Sequence, residues 1–380
     1  MATLRDVEEY LRSRLFERDD AIRGCLLALL AREHMLVLGP PGTGKSQLVR
    51  ELERTLGLRR FEWLLTKFST PEEVVGPVSV KALQEDRYCR VTVGKLPEAE
   101  IAFIDECFKA NSAVLNAMLA IMNERIFHND GQPVRVPLQS LFGASNEVPQ
   151  GDEESALQAF LARFLLRYQV GYLVEQANFL AMLDLEEPAE WPTMTQAELA
   201  AAQEAAAQVV VPREVKEAIF ALRKALADQG IVISDRQWHR SVKVLRANAF
   251  LDGRSRVDVA ADFDVYCHIC WTDPSQERTV VKTVRRVADP LAERVLELLE
   301  EAQEIYDGVM AKRGGGDEKA VTAAAVEANS KLRRISKELA AVASRGGPVA
   351  QAKAREARAR VNALNGTMTR ELLGVELEGE

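Results

Sequence analysis

Met35-Leu36-Val37-Leu38-Gly39-Pro40-Pro41-Gly42-Thr43-Gly44-Lys45-Ser46 is the stretch on which the fold turns. Its first four residues form a short continuous apolar run, as a parallel strand buried on both faces requires. The run breaks into a turn with glycines, Lys45 and Ser46 at GxxxxGK[ST] spacing, and a helical pattern follows. Strand, glycine turn and helix N-terminus together make a cradle in which backbone N–H groups face phosphate oxygens. The spacing predicts that Gly39, Pro40, Pro41, Gly42, Thr43, Gly44, Lys45, Ser46 and Gln47 wrap the phosphates of ATP. Lys45 would neutralise the β- and γ-phosphates as a point charge, and the Ser46 hydroxyl would ligate Mg²⁺. An ordinary glycine turn before a helix rarely carries Lys-Ser in register.

Two further apolar runs end in chemistry. Ile101 to Ile104 runs into Asp105-Glu106, and Leu141 to Ala144 into Ser145-Asn146. Between them Val114, Leu115, Met118, Leu119 and Met122 make one apolar helix face. Strands alternating with helices predict an α/β fold, a parallel sheet covered on both faces with its chemistry at the strands' carboxyl ends. Asp105 is placed to hold Mg²⁺ through its water shell, and Glu106 to orient and polarise an attacking water, which favours hydrolysis over transfer to a substrate. The Asn146 amide would reach the γ-phosphate and that water, although Asn also ends strands as a turn former. Arg163 and Arg167, four apart, fall on one face of a helix whose apolar face carries Leu157, Phe160, Leu161, Phe164 and Leu165. They are either a solvated basic face or an arginine finger offered to a neighbouring subunit's nucleotide. Arg236, in Ser234-Asp-Arg-Gln-Trp238, either touches a γ-phosphate or balances surface charge.

At 380 residues the chain exceeds one ordinary core, so two or three domains are expected. Asp184 to Gln203, rich in Glu, Pro and Ala, reads as a linker, and Pro212 to Thr272 as helices only. The tail, broken at Gly314-Gly315-Gly316 and Gly346-Gly347-Pro348, carries Val321, Ala325, Ala328, Leu332, Ile335, Leu339 and Val342 at alternating four- and three-residue spacing. That is the seam of a coiled-coil hairpin or small bundle. The expected division is a nucleotide-binding domain over 1–183, a linker and small helical domain over 184–275, and a helical arm over 276–380. A net charge of −8 argues against a broad nucleic-acid footprint. The first twenty residues are too charged for a signal peptide and no apolar run reaches membrane-spanning length, so a cytoplasmic protein is expected. Five scattered cysteines read as reduced thiols, and the lone pair Cys267/Cys270 reads as helix packing rather than a zinc or redox site.

Taken in order, Gly-Pro-Pro-Gly-Thr-Gly-Lys-Ser, Phe-Ile-Asp-Glu, Ala-Ser-Asn-Glu, Ala-Arg-Phe-Leu-Leu-Arg and Ser-Asp-Arg-Gln-Trp resemble the MoxR group of AAA+ ATPases. The stretches Phe68 to Ser79, Gly94 to Glu106 and Leu115 to Arg125 are most similar to its RavA subfamily, and the resemblance covers residues 10–275. It implies a P-loop αβα core with a helical lid, assembled as a hexameric ring with ATP between subunits. It also implies Lys45 and Ser46 as Walker A, Asp105 and Glu106 as Walker B, Asn146 as sensor 1, Arg163 as the arginine finger and Arg236 as sensor 2. Thr70 to Leu96 and Ile126 to Pro137, the latter with Asp130-Gly131 as its turn, match the two insertions that line such a ring's pore. The implied partners are a von Willebrand factor A-domain protein and protein clients of chaperone-like remodelling. RavA proteins also carry a β-rich insert that docks a lysine decarboxylase. This tail shows none, so that partner is not transferred. Replicative helicases share the hairpin, but a DNA-translocating ring is opposed by the acidic total and by a hairpin with Arg135 as its one Lys or Arg. A small-molecule P-loop kinase is opposed by Arg163, Arg236 and the ring insertions.

Overall fold

The computed structural model describes residues 3–148, 155–311, 318–345 and 348–373. The expected breaks at Gly314-Gly315-Gly316 and at Gly346-Gly347 fall outside them. The chain divides into two compact units, residues 1–280 and 281–380.

The first unit is built on five parallel strands: β1 (His34–Leu38), β2 (Arg60–Leu64), β3 (Ile101–Asp105), β6 (Ser140–Ser145) and β7 (Phe164–Gln169), in the order β2-β3-β6-β1-β7. All of β1 and β6 is buried, which is why both read as unbroken apolar runs. Helices α1 (Leu4–Arg14), α2 (Asp19–Ala31), α3 (Lys45–Arg54), α6 (Ser112–Glu124) and α7 (Ser155–Leu161) accompany the sheet, with short turns α4 (Pro71–Val75) and α5 (Val80–Leu83) in the first expected insertion. Antiparallel β4 (Ile126–Asn129) and β5 (Gln132–Arg135) form the second, closed by Asp130 and Gly131 at φ 52° and 71°, the left-handed pair a two-residue hairpin needs. Because the strands are in register, Leu38 lies beside Ser145, and Leu64 beside Asp105. Asp105 and Ser145, next to Asn146, therefore share the sheet's carboxyl edge with the end of β1 that leads to Lys45.

The chain continues through α8 (Gln176–Leu183), α9 (Gln196–Ala207), α10 (Arg213–Ala227), α11 (Asp235–Leu251) and α12 (Val259–Asp262). The stretch expected as linker is partly helix. Thr195 and Glu198 form a capping box, and Leu199 and Ala206 are buried, so α9 is fixed by packing despite its bland composition. Arg163 and Arg167 do not share a helix. Helix α7 ends at Leu161, and Phe164-Leu165-Leu166 goes fully buried into β7 along the open edge of β1, so strand pairing overrides the helical spacing. Arg167 is wholly buried and donates to the carbonyls of Ile269 and Trp271. Cys267 lies on a 3₁₀ turn over Phe263–His268 and Cys270 just past it, both buried. Polar ties join the helical part to the sheet layer, among them Arg23 Nε donating to Asn248 Oδ1 at 2.9 Å, Arg240 Nε donating to Glu33 Oε2 at 2.8 Å, and the Arg167 bonds just given.

Helix α13 (Glu277–Ala288) spans the boundary between the units. In the second unit α14 (Pro290–Met310), α15 (Glu318–Arg345) and α16 (Pro348–Leu373) pack as a three-helix bundle. The seam of α15, from Ala325 to Val342, is buried against Val295, Leu298 and Ala302 of α14 and Ala354, Ala357 and Val361 of α16. Among the described residues, no helix is long and apolar enough to cross a membrane.

Candidate active site

The loop between β1 and α3 is shaped by its glycines. Gly42 and Gly44 stand at φ 78° and 82°, a region that costs other L-residues roughly 1 kcal/mol or more. A Cβ on Gly39 would lie 2.2 Å from the Val170 carbonyl oxygen, so only glycine lets the loop leave β1 beside β7. Arg18, nearly buried, donates from Nη2 to Thr43 O at 3.1 Å and also to Gly171 O, fastening the loop from behind. Sequence reasoning missed Arg18, since no local pattern marks an arginine whose partners lie 25 and 153 residues away.

Three of the expected residues meet through their side chains. Lys45 Nζ donates to Gly39 O at 2.6 Å, to Pro40 O at 2.9 Å and to Asn146 Oδ1 at 2.9 Å. Burial lowers the pKa of this ammonium, while the charges of Asp105 and Glu106 act in the opposite direction. The other end of the same amide, Asn146 Nδ2, donates to Glu106 Oε1 at 2.9 Å. Asn146 thus bridges the phosphate-loop lysine and the candidate base. Glu106 itself stands at φ 50°, a left-handed conformation that costs about 1–2 kcal/mol and turns its side chain away from that of Asp105. Its Oε2 is 3.3 Å from Lys109 Nζ. Asp105 faces the loop instead, accepting from Ser46 Oγ at 3.3 Å.

The arrangement fits Mg-ATP on its own chemistry. Ser46 and Asp105 are hard oxygen donors of the kind Mg²⁺ takes, the glycines leave backbone room for phosphate, and Lys45 carries the counter-charge. A cleft of about 790 Å³ opens beside the loop, lined by Gly39, Pro40, Glu106, Asn146 and Gln169 among others.

Arg163 and Arg236 do not line that cleft. Arg163 immediately precedes β7, whose first residue Phe164 lies beside His34 at the start of β1. It therefore sits at the sheet's amino edge, on the order of 16 Å along the strand from the phosphate loop. Arg236, at the start of α11, lines a second cleft of about 740 Å³ with Glu33, Arg125, Arg240 and Lys243. The Arg163 pKa is lowered by burial first and then by the charges of Arg236 and Arg240, and its buried Nε has no hydrogen-bond partner. Arg240 also donates from Nη2 to Arg163 O at 3.1 Å, so it holds the backbone that carries Arg163. Arg240 too escaped sequence reading.

Fold and site together define a P-loop ATPase of the AAA+ class: a five-stranded parallel core with the lysine, acids and asparagine at one edge, followed by a helical lid. Residues 2–209 match the profile of the MoxR domain found in MoxR–vWA–β-propeller ternary systems, and residues 214–284 match an AAA lid domain. The chain belongs to the MoxR-domain family of AAA+ ATPases. Two uncharacterized proteins of Methanocaldococcus jannaschii are each 40% identical to it, over 81% and 79% of this chain and 80% and 78% of their own. The chaperone MoxR1 of Mycobacterium tuberculosis is 25% identical over 54% of this chain and 56% of its own. In fold the chain resembles a crystal structure of a candidate ATPase from Cytophaga hutchinsonii, with TM-score 0.62, 18% identity, and coverage of 74% of this chain and 93% of that one.

Proposed function

We propose that this protein hydrolyses Mg-ATP as a hexameric ring that remodels protein clients together with a von Willebrand factor A-domain partner. The observation that carries the reading is the division of the chemistry between two edges of one sheet. Lys45, Asn146 and Glu106 are linked on the carboxyl edge, while half-buried Arg163, with its Nε unpartnered, and exposed Arg236 lie toward the amino edge. A chain in which those arginines are too far to reach their own nucleotide is suited to complete another subunit's site.

In the proposed step Lys45 and the loop N–H groups would hold the β- and γ-phosphates, and Ser46 and Asp105 would hold Mg²⁺, whose charge would neutralise the phosphate oxygens. Glu106 would accept a proton from the water whose oxygen bonds to the γ-phosphorus as the bond to the β,γ-bridging oxygen breaks and ADP leaves, with Asn146 positioning both Glu106 and the water. The family profile's name supports the A-domain partner, and the chaperone MoxR1 supports remodelling. The RavA-like stretches support a kinship with that subfamily by motif alone.

Mixing inactive Arg163→Ala subunits with inactive Glu106→Gln subunits tests the reading, because mixed interfaces can pair an intact finger with an intact base. ATPase activity should return in the mixture. If mixed rings form and stay inactive, the trans assignment is wrong.

A further inference from the structure

We propose that helix α8 and the acidic chain after it are the surface on which the lid of a second copy of this chain docks, a proposal that rests on the reading of Arg163 as acting in trans. Helix α8, Gln-Ala-Asn-Phe-Leu-Ala-Met-Leu, is largely apolar and buries none of its side chains. Phe179 is 48% exposed and Leu183 63% exposed, one turn apart on the same face, with Leu180 beside them at 50%. An apolar face of this kind marks an interaction surface. The helix is nonetheless held in place. Glu17 accepts hydrogen bonds from the N–H groups of Val174 and Glu175, and Tyr172 Oη donates to Pro41 O of the phosphate loop at 3.2 Å. It is therefore a fixed, uncovered ledge, entered from a segment that touches the phosphate loop through Tyr172.

What covers it follows from geometry and charge. A copy that brings Arg163 and Arg236 from its amino edge to the nucleotide cleft brings its lid toward the segment that enters α8. Close to Arg236 in sequence, that lid exposes its own apolar residues, Val232 at 80% and Phe220 at 66%. Charge matches as well. Asp184, Glu186 and Glu190 follow α8 as exposed acids, and the lid carries Arg236 and Lys243 as exposed cations. The two patches differ and lie on different parts of the chain, so the contact is head-to-tail, as a closed ring requires.

The test uses the full chain with Phe179→Glu and Leu183→Glu together, followed by sedimentation velocity across protein concentration with ATP and by ATP titration of the dilute protein. Since α8 buries no side chain, the double variant should fold and bind ATP as the wild type does, while its assembly shifts to at least ~10-fold higher concentration. Charge reversal at Lys243, 56% exposed on the other patch, should produce a shift in the same direction. Assembly of the α8 variant at wild-type concentrations overturns the proposal, including the case in which it loses an A-domain partner instead, because that assigns the face to the partner. A wild-type protein that stays monomeric with ATP would instead bring down the ring reading on which this one stands.

Discussion

Glu106→Gln separates the chemistry from the scaffold more cleanly than any other substitution. The amide keeps an Oε1 acceptor for Asn146 Nδ2, so the 2.9 Å bond that orders the site survives. It loses the charge pair with Lys109 at 3.3 Å, whose lysine is 56% exposed and whose contribution is therefore below about 1 kcal/mol. Stability and nucleotide affinity should change little. Hydrolysis should not be spared, because an amide at this position cannot accept the water's proton. General-base catalysis typically supplies about 10²–10⁴ in rate, and at 1.36 kcal/mol per tenfold that is roughly 3–5 kcal/mol of barrier. The measurement is single-turnover phosphate release at saturating ATP, beside calorimetric ATP binding and thermal unfolding. A kcat within threefold of wild type, with binding intact, would refute the assignment of Glu106 as base. A fall matched by equal loss of affinity would show that Glu106 serves binding rather than the water.

Arg240→Ala leaves the Glu33 carboxylate, 5% exposed in the pair, with the longer 3.8 Å contact to Lys243, and frees the Arg163 carbonyl. A loss of about 3 kcal/mol in unfolding free energy is expected. The variant should also fail as finger donor in subunit mixtures while still serving as base donor, which unfolding alone would not produce. Glu53 is buried without a hydrogen bond, and burial pushes its carboxyl up to about 7, with Arg60 acting weakly against that shift. The folded state then binds the proton more tightly than the unfolded chain does, so stability is full below the ordinary carboxylate range and falls as pH rises through 7. The loss approaches about 3 kcal/mol, and Glu53→Gln should flatten it in chemical denaturation between pH 5 and 8. Deleting residues 290–380, the bundle of α14, α15 and α16, should leave ATP turnover within a fewfold of wild type. Co-purification with the A-domain partner should be lost, as a pull-down would show.

The parts of the site that sequence reveals are those whose chemistry demands particular residues within a few positions of one another. Gly39 to Ser46 and Asp105-Glu106 are such clusters, each fixed to a strand tip by the apolar run ahead of it. Phe164-Leu165-Leu166 was harder, because three buried residues suit a helix face as well as a strand, and only the free edge of β1 decides between them. The separation of Arg163 from its own nucleotide follows from that same pairing and is invisible along the chain. Arg240 reaches Glu33 across 207 residues, so its purpose exists only in the folded molecule. The seam of the arm was plain because a repeat over several turns leaves little room for another period, although whether it closes as a hairpin or a bundle depends on α14.

The ties of Arg23, Arg167 and Arg240 between sheet layer and lid have a mechanical consequence. They enclose buried or half-buried charge, so opening a hinge there would break the Arg240–Glu33 pair and the bonds of the Arg167 guanidinium together. Within one subunit, then, core and lid turn together like a single cog. Phosphate loss at one cleft cannot be absorbed by the lid flexing on its own core. In the proposed ring it would be taken up as a rotation of one whole subunit against the next, with Arg163 and Arg236 carried on the same solid piece to and from the neighbour's nucleotide in one stroke.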